Sequence, residues 1–392
     1  VTLERVGVVG AGTMGAGIAQ IAALGGFEVR LHDPVADVLG SAEERIGGAL
    51  EKGAERGRWS EQEAEAAKGR VEPAADLSGL GGCDLVVEAA PEKLELKREL
   101  FAELAKACGD EAILATNTSS LSVTAIAASV PRPERVVGMH FFNPPALMRL
   151  VEVVAAPDSS EQALGATAEA AQRMGRTPVR AADEIGFIAN RCARPYSLEA
   201  LRMLADRVAD HRTIDTICRT AGGFRMGPFE LLDLVGIDVN LSVAKSFWEQ
   251  SFHEPRWQPN PIQQRMVDSG RLGRKAGRGF YEYGEGAPVP SEEDGPAIEP
   301  ELERTVLDRI VCQLVNEAAF ALQKGIGSAE AIDTAMKLGF NYPKGPLEWG
   351  DELGLDHVLA VLDGLREELG EERYRAAPLL RRLVANGERF HH

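Results

Sequence analysis

A chain of 392 residues, 44% hydrophobic and 26% charged, has the composition of an ordinary globular protein and the length for two or three domains. Its formal net charge of −17 argues against nucleic acid or an anionic membrane as partner, and no apolar run approaches the ~20 residues that span a bilayer. A phosphate-bearing ligand would therefore need a locally basic surface or backbone amides, against the overall field.

The opening residues, Val1-Thr2-Leu3-Glu4-Arg5, lead directly into a strand and leave no room for a signal peptide. Five cysteines, at 83, 108, 192, 218 and 312, lack metal-type pair spacing and suit buried thiols in a reducing cytosol. A cytoplasmic protein without a bound metal is expected.

Val6-Gly7-Val8-Val9 predicts a short buried strand, followed by Gly10-Ala11-Gly12-Thr13-Met14-Gly15 and a helix over 16–24. A second strand, Glu28-Val29-Arg30-Leu31-His32, ends at Asp33. This is the full context of a dinucleotide-binding turn. Gly10 permits the tight turn, Gly12 admits a pyrophosphate to the backbone, and Gly15 lets helix pack on strand. Thr13 and Met14 complete the cofactor-binding turn. Asp33 can accept hydrogen bonds from ribose hydroxyls and would repel a 2′-phosphate, so NAD is expected rather than NADP.

Residues 37–68 are polar, Ala/Glu-rich and helical in period, and predict a helical hairpin inserted after the second strand. Strands at 84–88 and 112–116, with a helix over 92–107 between them, imply a parallel sheet covered on both faces. Polar residues gather beyond the strand ends, where such sheets bind ligands: 88–92, then Asn117-Thr118-Ser119-Ser120, then His140. Ser119 and Ser120 also suit a helix cap.

The segments 135–139 and 150–154 read as two further buried strands, broken apart by Asn143-Pro144-Pro145. His140 then lies at the tip of one, and Glu152 inside the other among Leu150, Val151, Val153 and Val154. A carboxylate so placed needs a partner for its charge. His140 is the candidate.

From 186 onward helical periodicity takes over. Asp215, Gly227, Glu230 and Asp233 recur as Asp333, Gly345, Glu348 and Asp351, each 118 positions later, which reads as an internal duplication. Asn190 becomes Asp308, the segment 272–281 has no evident counterpart, and 284–290 with the acidic stretch after it reads as a linker. The expected organisation is an α/β Rossmann-type domain over 1–184 and an all-α region of two tandem repeats, 185–284 and 300–392, joined by a linker over 285–299. The pair His391-His392 carries no weight at this level.

The segments GAGTMGAGIAQIAA, VVEAAPEKLELKRELF, NTSSLSVTAIA, HFFNPPALMRLVEVV and GFIANR resemble the L-3-hydroxyacyl-CoA dehydrogenases, and with the C-terminal motifs the resemblance covers nearly the whole chain. It implies NAD-dependent oxidation of a 3-hydroxyacyl-CoA to a 3-oxoacyl-CoA, with His140 and Glu152 as the catalytic dyad. It further implies that Ser119 and Asn190 hydrogen-bond the reacting oxygen and that Asn143 orders the dyad and pocket. Glu92, Lys97 and Asn117 would reach the cofactor. Arg56, with Lys52 one turn away, would meet CoA phosphates, although Ala49 stands where some relatives place a hydroxyl.

Many members of the family carry one helical unit and dimerise through it. The resemblance therefore implies that the first copy closes the active site. The second would replace a partner subunit, giving a pseudo-dimer within a chain that is itself a monomer or a homodimer. Short or dicarboxylic acyl chains, such as 3-hydroxybutyryl or 3-hydroxyadipyl, are the expected substrates. Two alternatives stand beside this reading: a dehydrogenase of a free hydroxy acid or sugar acid resembling L-gulonate 3-dehydrogenase, and a non-catalytic NAD-binding protein.

Overall fold

A computed structural model describes residues 3–284 and 298–391, so most of the expected linker lies outside the described residues. The chain divides into two compact units, 1–187 and 188–392.

The first unit is built on an eight-stranded sheet of order β3-β2-β1-β4-β5-β6-β7-β8. Its strands are β1 (Arg5–Val9), β2 (Glu28–His32), β3 (Val71–Ala74), β4 (Leu85–Glu88), β5 (Ile113–Thr116), β6 (Val136–Phe141), β7 (Leu150–Ala155) and β8 (Thr177–Ala182). The accompanying helices are α1 (Thr13–Leu24), α2 (Ala36–Glu55), α3 (Glu61–Gly69), α4 (Leu94–Ala107), α5 (Val123–Ala127) and α6 (Glu161–Arg173). Residues of β1, β2, β4, β6 and β7, among them Val6, Val8, Leu31, Val87, Met139 and Val153, share one buried core with Ile18 and Ile21 of α1 and Leu164 of α6.

The parallel pairing expected of β1, β2, β4 and β5 is present. All neighbouring pairs are parallel except β6 and β7, which run antiparallel. The connection between them, 142–149, is too short for the crossover that a parallel pair requires. Two strands were not anticipated, β3 and β8. Each carries a proline (Pro73, Pro178), and each lies at an edge of the sheet, where a missing N–H donor is tolerated.

The hairpin α2–α3 stands between β2 and β3. Its turn is fixed by a capping box in which Ser60 N donates to Glu63 Oε2 (2.7 Å) and Glu63 N donates to Ser60 Oγ (3.1 Å). Trp59 closes over the turn, donating from Nε1 to Leu50 O at 2.8 Å.

The second unit contains α7 (Ala189–Ala205), α8 (His211–Thr220), α9 (Pro228–Val235), α10 (Ile237–Gln250) and α11 (Pro261–Asp268), then α12 (Pro300–Gln323), α13 (Ala329–Gly339), α14 (Pro346–Leu353), α15 (Leu355–Leu369) and α16 (Pro378–Asn386). The residues matched at an offset of 118 perform the same local task twice. Asp215 accepts from Phe229 N (2.9 Å) and Glu230 N (3.0 Å) at the start of α9. Asp333 accepts from Leu347 N (2.8 Å) and Glu348 N (3.1 Å) at the start of α14. Gly227 and Gly345 are required beside them, since a Cβ at either would fall about 2.3 and 2.1 Å from the aspartate.

Contacts across α7 and α12 are reciprocal. Arg191 Nε donates to Glu317 Oε1 at 2.8 Å, and Arg309 Nε donates to Glu199 Oε1 at 2.7 Å. Arg309 and Glu317 are the counterparts of Arg191 and Glu199 at the same offset. Phe224 meets its own counterpart, Tyr342, with ring centroids 5.0 Å apart. Such self-complementary pairing is the signature of a two-fold arrangement.

The segment 272–281, expected to lack a counterpart, has one in its last residues. Phe280 N and Tyr281 N donate to Asp233, and the Tyr281 hydroxyl reaches Asp215 at 2.8 Å. In the second half Phe390 N and His391 N donate to Asp351, and the His391 ring lies 2.9 Å from Asp351 and 3.2 Å from Asp333. Here a histidine takes the place of a tyrosine at a different spacing, so a fixed offset does not find it. His391 is part of the fold.

Glu199 is fully buried, and its replacement would strand Arg309, which is 6% exposed. Glu199→Ala is expected to cost about 3–5 kcal/mol in chemical denaturation, as when one partner of a buried ion pair is removed. A loss below about 1 kcal/mol would mean that the reciprocal pairs do not hold α7 and α12 together.

Candidate active site

The glycine turn follows from the backbone. Gly10 has φ +94° and a Cβ there would lie 2.7 Å from Ala89 O, while a Cβ on Gly15 would lie 1.7 Å from Gly10 O. Both positions are closed to any side chain. Gly12 differs: a Cβ there would meet nothing within 4 Å, so this face is open at the N-terminus of α1. No side chain caps that helix, and its first N–H groups are left for an anion. Asp33, beyond β2, accepts from Ala11 N (2.8 Å) and Val35 N (3.0 Å), and a carboxylate has further lone pairs for ribose hydroxyls. These residues fit NAD.

Arg45 of α2 was not among the sequence candidates. Its Nη2 donates to Ala11 O at 2.6 Å, and it lines a cavity of about 180 Å³ with Thr13, Gln20, Ala49, Pro144 and Pro145. Arg56, the candidate chosen from sequence, is exposed at the C-terminal end of α2. The available signal was the helical period, since Arg45 adjoins the buried Ala42 and Ile46.

His140 lies within β6 rather than at its tip, directly opposite Glu152 in the antiparallel register. That register brings the two side chains together: Nδ1 is 2.7 Å from Glu152 Oε2. His140 is 3% exposed and Glu152 not at all. The carboxylate sets the proton on Nδ1, which leaves Nε2 as an acceptor. Ser119 Oγ stands 3.0 Å from Nε2. The rings of Phe142 and Phe187 lie 4.7 and 5.7 Å from the imidazole and give it apolar cover.

Ser119 is held by Glu92. The Glu92 Oε1 atom accepts from Thr118 Oγ1 (2.6 Å), Ser119 N (2.9 Å), Ser120 N (3.1 Å) and Ser120 Oγ (3.1 Å). Burial opposes charge on Glu92, but the Thr118 hydrogen bond, the Lys97 ammonium and the Ser119 and Ser120 donors together hold its carboxyl below the usual range. Lys97 is 1% exposed and directs its ammonium to Glu88 Oε1 (2.6 Å), Ala90 O (3.2 Å) and Glu92 Oε2 (3.4 Å). Two of its N–H bonds are thus committed to Glu88 and Ala90, and its charge also faces Glu92, so Lys97 fixes Glu88 and Glu92. Glu88, fully buried at the end of β4 and bonded also by Thr116 Oγ1 (2.7 Å), was missed as an anchor.

Other candidates fall out as follows. Ser122, not Ser119 or Ser120, caps α5. Asn117 Oδ1 accepts from Phe141 N at 2.8 Å and ties β5 to the dyad strand. Asn143 is exposed, beyond the end of β6. Asn190 belongs to the second unit, in the first turn of α7. All five cysteines are buried.

A dinucleotide turn and a buried His–carboxylate pair on one sheet define an NAD-dependent oxidoreductase. The chain belongs to the 3-hydroxyacyl-CoA dehydrogenases: residues 5–184 match the family's NAD-binding domain, and 186–283 and 306–389 both match its C-terminal domain. It is 37% identical to 3-hydroxyadipyl-CoA dehydrogenase of Escherichia coli (strain K12), across 97% of each chain. The crystal structure of 3-hydroxybutyryl-CoA dehydrogenase from Escherichia coli K12 superposes with a TM-score of 0.92 at 37% identity, covering 98% of this chain and 99% of that one. A 3-hydroxybutyryl-CoA dehydrogenase of Mycobacterium tuberculosis (strain ATCC 25618 / H37Rv) is 40% identical over 72% of this chain and 99% of its own length.

The open face at Gly12 separates folding from cofactor binding. Gly12→Ala should change stability by no more than about 1 kcal/mol, yet weaken NADH binding by roughly tenfold or more, because the methyl group occupies the pyrophosphate approach. Fluorescence titration with NADH, alongside thermal unfolding, checks both halves.

Proposed function

We propose that the chain oxidises short or dicarboxylic L-3-hydroxyacyl-CoA thioesters to 3-oxoacyl-CoA, with His140 as general base and Glu152 as its partner. The observation that carries this reading is the chain of contacts Glu152–His140–Ser119, at 2.7 and 3.0 Å, on the sheet that also bears the glycine turn.

His140 Nε2 is the acceptor for the substrate's hydroxyl proton, a task suited to a side chain whose ordinary pKa lies near neutrality. Glu152 faces the imidazolium so formed across 2.7 Å in a buried setting, where its charge is most effective. Ser119 Oγ, held by the Glu92 clamp on its loop, is placed to hydrogen-bond the reacting oxygen. Phe142 and Phe187 keep water from the imidazole. NAD, when bound at the glycine turn, supplies the hydride acceptor. Relatives named for 3-hydroxyadipyl-CoA and for 3-hydroxybutyryl-CoA both support the substrate range proposed.

Two assays test this. Acetoacetyl-CoA should oxidise NADH readily while free acetoacetate does not; activity on the free acid alone would favour a sugar-acid or hydroxy-acid dehydrogenase. His140→Gln should lower kcat by about 10²–10⁴-fold with NADH affinity nearly unchanged. Comparable loss of NADH binding would defeat the separation of base from cofactor site.

We further infer that the helical copies arose by duplication and that residues 300–392 take the place of a partner subunit. The reciprocal Arg191–Glu317 and Arg309–Glu199 pairs support this, as does a relative whose whole length spans only 72% of this chain. A chain truncated to 1–284 should sediment as a dimer, with Arg191 of each copy facing Glu199 of the other. A stable monomer would overturn this reading.

A further inference from the structure

Three side chains of the second helical copy meet at a place where the first copy has no equivalent chemistry. Asp308 and Cys312 stand one turn apart on α12, and so share a face. His357 comes from the first turn of α15. One ligand atom from each lies within 4.8 Å of the others, and Asp308 Oδ1 is 3.2 Å from His357 Nε2. Cys312 is wholly buried, and among the described residues its thiol makes no hydrogen bond. The positions 118 earlier are Asn190, Arg194 and Val239. The three positions, two on one turn of α12 and the third on α15, therefore all differ between the copies, and all carry ligand-type residues in the second.

We propose that Asp308, Cys312 and His357 form a site for a divalent transition metal, with zinc the ion that fits best. Zinc takes sulfur, nitrogen and oxygen together at about 2.0–2.3 Å and imposes little geometry of its own. Tetrahedral ligands at those lengths stand roughly 3.3–3.6 Å apart, so the Asp308–His357 separation already suits the ion and the thiol approaches by a side-chain rotation. Calcium and magnesium, which seek oxygen cages, are disfavoured by the sulfur and the imidazole. His357 and Asp308 have side chains 44% and 24% exposed, which opens the fourth position to water. Binding breaks the Cys312 S–H bond, forms a metal–thiolate bond and releases the proton to solvent. The site would clamp α15 to α12 and stands apart from the dyad's chemistry.

The test uses the full chain, stripped with a chelator and titrated with Co(II). One equivalent should bind, with a thiolate-to-cobalt charge-transfer band and tetrahedral ligand-field bands, and Zn(II) should displace it. Cys312→Ser should abolish the charge-transfer band and leave acetoacetyl-CoA reduction unchanged. His357→Gln, at a half-exposed position that the fold tolerates, should weaken Co(II) binding at least about tenfold. Absence of a stoichiometric band, an identical band in Cys312→Ser, or undiminished binding in His357→Gln would each overturn the proposal and leave a plain Asp308–His357 hydrogen bond.

Discussion

The reversal of strand direction between β6 and β7 is the constraint on which the rest of the first unit depends. A parallel β7 would not set Glu152 against His140 as the antiparallel register does. A fully buried carboxylate is affordable only beside a group that can share its charge or its proton. The short connection 142–149 enforces the reversal, and the register does what a loop could not: it holds both side chains on rigid strands, on one face of a sheet, at hydrogen-bond distance.

Around that pair the structure spends further buried charge on a loop. Glu88, Lys97 and Glu92 form a line of ion pairs from the end of β4 to the segment 118–120. Four donors converge on Glu92 Oε1, so the backbone of Ser119 cannot drift without losing charge-assisted bonds. Residues that resemble cofactor ligands in sequence thus act first on the protein itself, and through it on the geometry at His140 Nε2.

In the second unit, residues matched at an offset of 118 pair reciprocally. Asp215 and Asp333 each organise a helix start that would otherwise leave N–H groups unpaired in the interior. Burial pushes these carboxyls up, to about 7 and about 6, in spite of the N–H donors they accept. The outer partner then diverges. Tyr281 bridges Asp215 and Asp233, whereas His391 bridges Asp333 and Asp351. At one spot the second half carries Asp308, Cys312 and His357 where the first carries Asn190, Arg194 and Val239.

Much was written plainly in the chain. The glycine turn, Asp33, the hairpin after β2, the offset of 118 and the candidate pairing of His140 with Glu152 depend on local pattern, and local pattern survives in one dimension. Strands β3 and β8 did not show, because short, proline-bearing edge strands lack the apolar run that marks a buried one. The commitment of Lys97 to two glutamates, the reach of Arg45 to Ala11, and the counterpart of Tyr281 at His391 were equally hidden. So was the meeting of Asp308 and Cys312 with His357. Each joins residues whose separation follows no period, and only the folded backbone decides which of many polar side chains come within hydrogen-bond distance. The sequence by itself determined the fold class, the cofactor turn and the histidine proposed here as base. The tertiary structure decided the direction of β7, and with it why that histidine has a carboxylate at its back.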